Sequence, residues 1–290
     1  MRRFDVVSTI SKRMHQRLLD KGVAPAKAVM AVNWVDMAAF EGRGHGLPRY
    51  ARNDDTSDGL PRFARNDETN EPSLRGAQRR GNPGCSGYRA ELGIAPDAVV
   101  ALYSGNMGAK QGLELLAEVA KAIAAGAPLP QGDKALVFVF CGNGAGRADL
   151  MQRCQGLSNV RFMDLQPVER LPDLLAMADI HLLPQRADAA DLVMPSKLTG
   201  MLASARPVVA TAKPGTELDS VVQNCGLVVP PENPQAMAQA VHTLAQDSEL
   251  CARLGAAGFL YAQTHLDKDA VLTKFESDLL ALIRQSERQP

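Results

Sequence analysis

"AVVALYSGNMGAKQGLELLAEVAKAIAA", residues 98–125, is the stretch on which the fold turns. A short apolar, β-branched run leads straight into a glycine turn, and the turn into a helical pattern. The same alternation continues down the chain. "ALVFVFC" (135–141), "VRFM" (160–163), "IHLLP" (180–184), "PVVAT" (207–211) and "GLVVP" (226–230) read as strands. "RADLMQRCQG", "VERLPDLLAMA", "SKLTGMLASA", "ELDSVVQN", "PQAMAQAVHTLAQ" and "SELCARLGAAGFLYAQTH" read as helices. Residues 89–290 are therefore expected to form an α/β domain, a Rossmann-like parallel sheet covered on both faces. Ligands of such sheets bind outside the carboxyl ends of the strands, so the loops after the strands are where chemistry is sought.

Upstream, "FDVVSTIS" and "KAVMAVNWVD" read as strands flanking a helix in "SKRMHQRLLDKG", so residues 1–42 are expected to be ordered. An apolar strand this early, with no partner before it, points to part of a domain. Residues 43–88 differ. "GLPRYARNDDTSD" is followed at once by the near-copy "GLPRFARNDETNE", and the stretch holds no Val, Ile, Met or Lys. It has too little apolar surface to offset the entropy of ordering, so a disordered insertion is expected. A 13-residue unit repeated twice is too short and polar for a solenoid. Arginines with Tyr50 and Phe63 between them suggest RNA, but acidic residues interrupt them, and a solvated linker is the plainer reading. The stretch also resembles a translated genomic repeat.

The chain has 290 residues, 46% apolar and 22% charged, with zero formal net charge. That composition is globular, and no overall field draws nucleic acid to it. The amino terminus lacks a signal-peptide core, and the apolar runs are too short to span a bilayer. The five cysteines lie apart with no C-x-x-C pair, which suits reduced thiols and a cytoplasmic location. The histidines have no ligand spacing, so neither a metal nor a cofactor is expected.

Three loops carry the candidate chemistry. In "YSGNMGAKQG", Gly105, Asn106 and Gly108 let backbone approach a ligand, and Lys110 adds charge; the plainer reading is an ordinary turn. In "CGNGAGR", Gly142 and Gly144 imitate a dinucleotide fingerprint, with Asp164 at about the right distance. The sixth position is Arg147, however, so a turn forming one wall of a pocket fits better. The third loop, "QRADAADLVMPSK", is longer than such connections usually are, which suggests binding. It ends at Pro195, Ser196, Lys197 and Leu198, where a helix begins. A lysine in the first turn is repelled by the helix unless an anion sits nearby. No P-loop pattern occurs. In "PGTELDS", Thr216 and Asp219 fit a capping box, and Glu217 reads as solvated.

The order of "SGNMGAKQG", "FCGNGAGR", "RFMDLQP", "ADIHLLP", "MPSKLTGMLASARPVVAT" and "GLVVPPENP" resembles the retaining glycosyltransferases of family four, with the two-domain GT-B fold. The wording of "ADLVMPSKLTGMLA" is most similar to bacterial exopolysaccharide enzymes of the colanic-acid type. The resemblance implies that residues 89–290 are the nucleotide-sugar domain and that 1–42, with "NWVD", are a remnant of the acceptor domain. It implies a UDP- or GDP-linked donor whose diphosphate is held by Gly105–Gly108 and Lys197, beside Lys110. The base would meet the backbone near Asp164 and Leu165. It also implies a lipid-linked saccharide acceptor at the cytoplasmic face of the inner membrane, and an amino-terminal half supplied separately. A related sugar-nucleotide epimerase would need acid and base residues that are not evident. The family often carries Glu-x7-Glu where this chain has Leu192 and Gly200. Asp191 is the remaining candidate for a sugar contact.

Overall fold

The computed structural model describes residues 4–41, 83–108, 111–126, 134–187 and 194–287. The chain opens with β1 (Val7–Thr9), α1 (Lys12–Asp20) and β2 (Ala28–Met30), a small βαβ unit whose strands pair in parallel, Val7 opposite Ala28. Ser11 starts α1 by accepting the Met14 N–H at 3.2 Å. After α2 (Pro83–Glu91) come β3 (Val99–Ser104), α3 (Leu113–Ala124), β4 (Leu136–Cys141), α4 (Arg147–Arg153), β5 (Val160–Met163), α5 (Leu171–Met177) and β6 (Ile180–Leu183). The rest is α6 (Lys197–Ala203), β7 (Val208–Thr211), α7 (Glu217–Val222), β8 (Gly226–Val229), α8 (Pro234–Gln246), α9 (Ser248–His265) and α10 (Lys268–Glu287).

Strands β3 to β8 form one parallel sheet in the order β5-β4-β3-β6-β7-β8. Alternate residues feed two cores. Val100, Leu102, Val139 and Ala210 pack with Leu198 and Met201 of α6 and Leu218 of α7. Val99, Ala101, Tyr103, Phe138 and Phe140 pack with Leu116 of α3 and Met237 of α8 on the other face. This two-sided burial is why the strands are apolar throughout rather than alternating. The order is that of a doubly wound sheet, whose winding reverses between β3 and β6.

The first βαβ unit and the segment that follows it are joined to this body by backbone and amide contacts. Val35 N–H donates to Leu266 O at 2.8 Å, and Lys268 N–H to Val35 O at 3.0 Å. Asn33 donates from Nδ2 to Met194 O at 3.1 Å. Glu217, expected to be solvated, instead accepts the first-turn N–H of Lys12 at 3.1 Å. A carboxylate suits the positive end of α1, and its partner lies 205 residues away, out of reach of any local reading. Thr216 and Asp219 form the expected cap, with Asp219 N–H donating to Thr216 Oγ1 at 3.2 Å.

Helix α2 corrects one expected boundary. It takes in residues 83–88, assigned above to the polar insertion, and the remainder of that insertion lies outside the described residues. Tyr88 is fully buried. Arg89 donates to Ala98 O at 2.8 Å and Met177 O at 3.1 Å, and pairs with Asp179 at 2.8 Å. One buried aromatic and one multiply bonded arginine outweigh a poor local composition. Replacing Arg89 by Ala removes its ion pair with Asp179 and its bonds to the two carbonyls. The expected loss in urea denaturation is about 3 kcal/mol; a loss below about 0.5 kcal/mol would mean that this arginine does not dock α2.

Candidate functional site

The carboxyl ends of β6, β3, β4 and β5 form a continuous rim. At its centre is the loop after β3. Gly105 lies at φ 130°, and its N–H donates to Cys141 O at 3.0 Å. Met107 N–H donates to Asn143 O at 2.9 Å. The loop after β4 is pressed against it so closely that a Cβ on Gly142 would overlap the Gly105 carbonyl oxygen. A Cβ on Gly144 would stand 2.7 Å from both Asn106 Oδ1 and Met107 O. Both glycines also have φ 147°. Their absent side chains thus permit the close approach of two backbones.

This packing decides which amides are used. The N–H groups of Gly105 and Met107 are taken by the β4 loop, whereas those of Asn106 and Gly108 have no partner among the described residues. At the start of α6, Leu198 N–H donates to Pro195 O at 3.0 Å and Thr199 N–H to Ser196 O at 3.3 Å. Those of Ser196 and Lys197 have no partner among the described residues. The Leu198 side chain is core.

Lys197 reaches from α6 to the β3 loop. Its Nζ donates to Tyr103 Oη at 3.1 Å and Gln111 Oε1 at 3.4 Å, and sits 4.4 Å from the centre of the Tyr103 ring. A Cβ on Gly105 would stand 3.4 Å from this nitrogen. Among the described residues no carboxylate pairs with it. Burial lowers the ammonium from the ordinary 10.5 to about 8. The structure therefore brings together Gly105, Asn106, Gly108, Gly142, Gly144 and Lys197. Lys110 and Asp191 lie outside the described residues.

Farther along the rim, Asp164 pairs with Arg147 at 2.9 Å while its carbonyl accepts from Cys141 Sγ at 3.2 Å and Gln166 Nε2 at 2.9 Å. Leu165 beside it is exposed. Gly200 lies against Leu175, whose Cδ1 would be 2.9 Å from an added Cβ. A small cleft bounded by Asn33, Met194, Thr199 and Glu217 separates the first βαβ unit from α6 and α7; its cavity of about 40 Å³ admits a few waters but no sugar ring. Sequence reasoning missed Tyr103, Gln111 and Asn33 as site residues. Tyr103 sits in an apolar strand and reads as core, and only the lysine pattern downstream could have drawn attention to its hydroxyl.

Residues 98–247 match the family described as Glycosyl transferases group 1. The chain is 31% identical over 280 residues to WcaI of Escherichia coli (strain K12), named as a colanic acid biosynthesis glycosyl transferase. That match covers 95% of this chain and 57% of WcaI. Among solved structures, Anabaena Alr3699/HepE in complex with UDP and glucose superposes with a TM-score of 0.68 at 16% identity, over 97% of this chain and 64% of the other. The sucrose-phosphate synthase of Thermosynechococcus elongatus gives 0.65 at 18% identity, over 97% and 59%. These structural likenesses concern the fold, which is that of GT-B glycosyltransferases. The chain spans less than two thirds of each of these proteins.

A buried cation without a counter-charge is costly until an anion arrives. The unfolded chain holds the Lys197 proton more tightly than the folded one, so the penalty is complete below pH 8 and fades as pH rises toward 10.5. Lys197→Met is expected to raise the unfolding free energy at pH 7 by roughly 1–2 kcal/mol. The gain should shrink through that same window. Urea denaturation at several pH values tests this, and a destabilised variant at pH 7 would refute it.

Proposed function

We propose that this chain, which belongs to the glycosyl transferases of group 1, is the donor-binding portion of a sugar-nucleotide-dependent glycosyltransferase. The observation that carries the reading is the Lys197 ammonium, partly buried beside Gly105 at the reversal of the sheet with no carboxylate partner among the described residues. Two loops flank it, and their N–H groups at Asn106, Gly108 and Ser196 have no partner among the described residues. This is the chemistry of a diphosphate site. In the proposed reaction the bond from the sugar's anomeric carbon to the diphosphate breaks, and negative charge grows on the leaving phosphate. Fixed N–H donors and the lysine stabilise that charge where it develops. The acceptor hydroxyl bonds to the anomeric carbon on the face the diphosphate leaves, so configuration is retained, and its proton passes to the departing side.

In this reading the donor is UDP- or GDP-linked, and its base lies along the Asp164–Leu165 backbone. The donor unit runs from α2 onward, residues 4–41 belong to an acceptor-side domain, and 43–82 are an insertion. The proposed acceptor is an exopolysaccharide or lipid-linked saccharide, handled in the cytoplasm at the inner membrane surface; the colanic acid role in the name of WcaI supports the exopolysaccharide part. Among the described residues no helix is long and apolar enough to cross a membrane. A separate amino-terminal half is the proposed partner on the acceptor side. A second reading, a catalytically inactive remnant that at most binds nucleotide, is favoured by Leu192 and Gly200 at the positions of the family's two carboxylates.

A thermal and urea stability panel with UDP, GDP, ADP and NAD tests donor binding. At a hundred times its Kd, a bound nucleotide should add about 2.7 kcal/mol. The expected result is a gain with UDP or GDP that Lys197→Ala abolishes. No gain with any nucleotide, in a protein that still unfolds cooperatively, would sink the donor reading.

A further inference from the structure

The geometry points to Tyr103 as a positioning residue that sets both sides of the anion cradle, the Lys197 ammonium and the Asn106–Met107 peptide. The inference rests on the donor-binding reading above. Tyr103 is fully buried at the carboxyl end of β3, its ring in the core layer of α3 and α8. Lys197 comes from α6, which covers the opposite face. The contact between them therefore crosses the top of the sheet at the point where its winding reverses.

The direction of each hydrogen bond is fixed by chemistry. An ammonium only donates, so the Tyr103 oxygen accepts from Lys197 at 3.1 Å. The single phenolic proton then goes to Asn106 O, 2.6 Å away. Burial holds the phenol well above its ordinary titration range, so that proton stays in place. The Asn106–Met107 peptide is consequently pinned at both ends, its oxygen by Tyr103 and its N–H by Asn143 O at 2.9 Å. Pinning it orients the flanking Asn106 and Gly108 amides, the two that have no partner among the described residues. The same hydroxyl, with the ring face at 4.4 Å, holds the lysine beside Gly105. Two of the ammonium's three donors are occupied by Tyr103 and Gln111, and the third remains for an anion.

A tyrosine that merely filled the core would need its ring and not this pair of bonds. Tyr103→Phe separates the two roles, because it keeps the ring and removes the hydroxyl. The probe is inorganic pyrophosphate, titrated calorimetrically into the full chain, together with the ¹³Cε resonance of Lys197 in the ligand-free protein. Tyr103→Phe is expected to weaken pyrophosphate by roughly tenfold, the usual effect of losing a hydrogen bond to a charged group. It should also displace the Lys197 resonance. A variant that melts earlier but binds as wild type, with that resonance unmoved, would make Tyr103 an ordinary core residue and overturn the inference alone. Failure of the wild type to bind pyrophosphate, UDP or GDP would overturn both this inference and the donor reading.

Discussion

The sheet reverses its winding between β3 and β6, and the candidate site depends on that reversal. β3 hands the chain to α3 on one face, and β6 hands it to α6 on the other. The two strands are neighbours, so their outgoing connections part and leave a crevice above their carboxyl ends. A glycine loop borders the crevice on one side and a buried lysine enters from the other. Neither could be placed there by local structure alone. Parallel order brings β3 beside β6, although 75 residues lie between the end of β3 at Ser104 and the start of β6 at Ile180.

Much of this was legible because strands buried on both faces announce themselves as short apolar, β-branched runs. "VRFM" is a strand to the residue, "GLVVP" runs one residue past β8, and Thr216 caps α7. What escaped has physical reasons. Helix α10 carries Val271, Phe275 and Leu279 at helical spacing, but none of its side chains from 268 to 284 is fully buried and its signal is weak. Glu217 and Asn33 act through partners at Lys12 and Met194, pairings that only the tertiary fold creates. Gly142 and Gly144 were visible as a turn. The reason for them, carbonyl oxygens of a different loop, was not.

The two glycine loops also show how a fold can leave backbone groups over for a ligand. Hydrogen bonding between them uses the Gly105 and Met107 amides, while those of Asn106 and Gly108 have no partner among the described residues. A side chain at position 142 or 144 would force the loops apart, and the pattern of used and spared N–H groups would go with them. The glycines thus matter less for a ligand's approach than for the contact of one loop with the other. Fingerprint reasoning places such residues directly against phosphate, and here the geometry assigns them one layer further back.

The charge balance of the site argues for how a donor would be held. Lys197 has polar neutral partners and an aromatic face, a set that orients a cation without neutralising it. Its positive potential is therefore not spent on a protein carboxylate among the described residues. At Gly200 there is neither a carboxylate nor space for a Cβ without displacing Leu175. Under the donor reading, affinity is concentrated on the phosphates, and recognition of base and sugar falls to the outer parts of the rim.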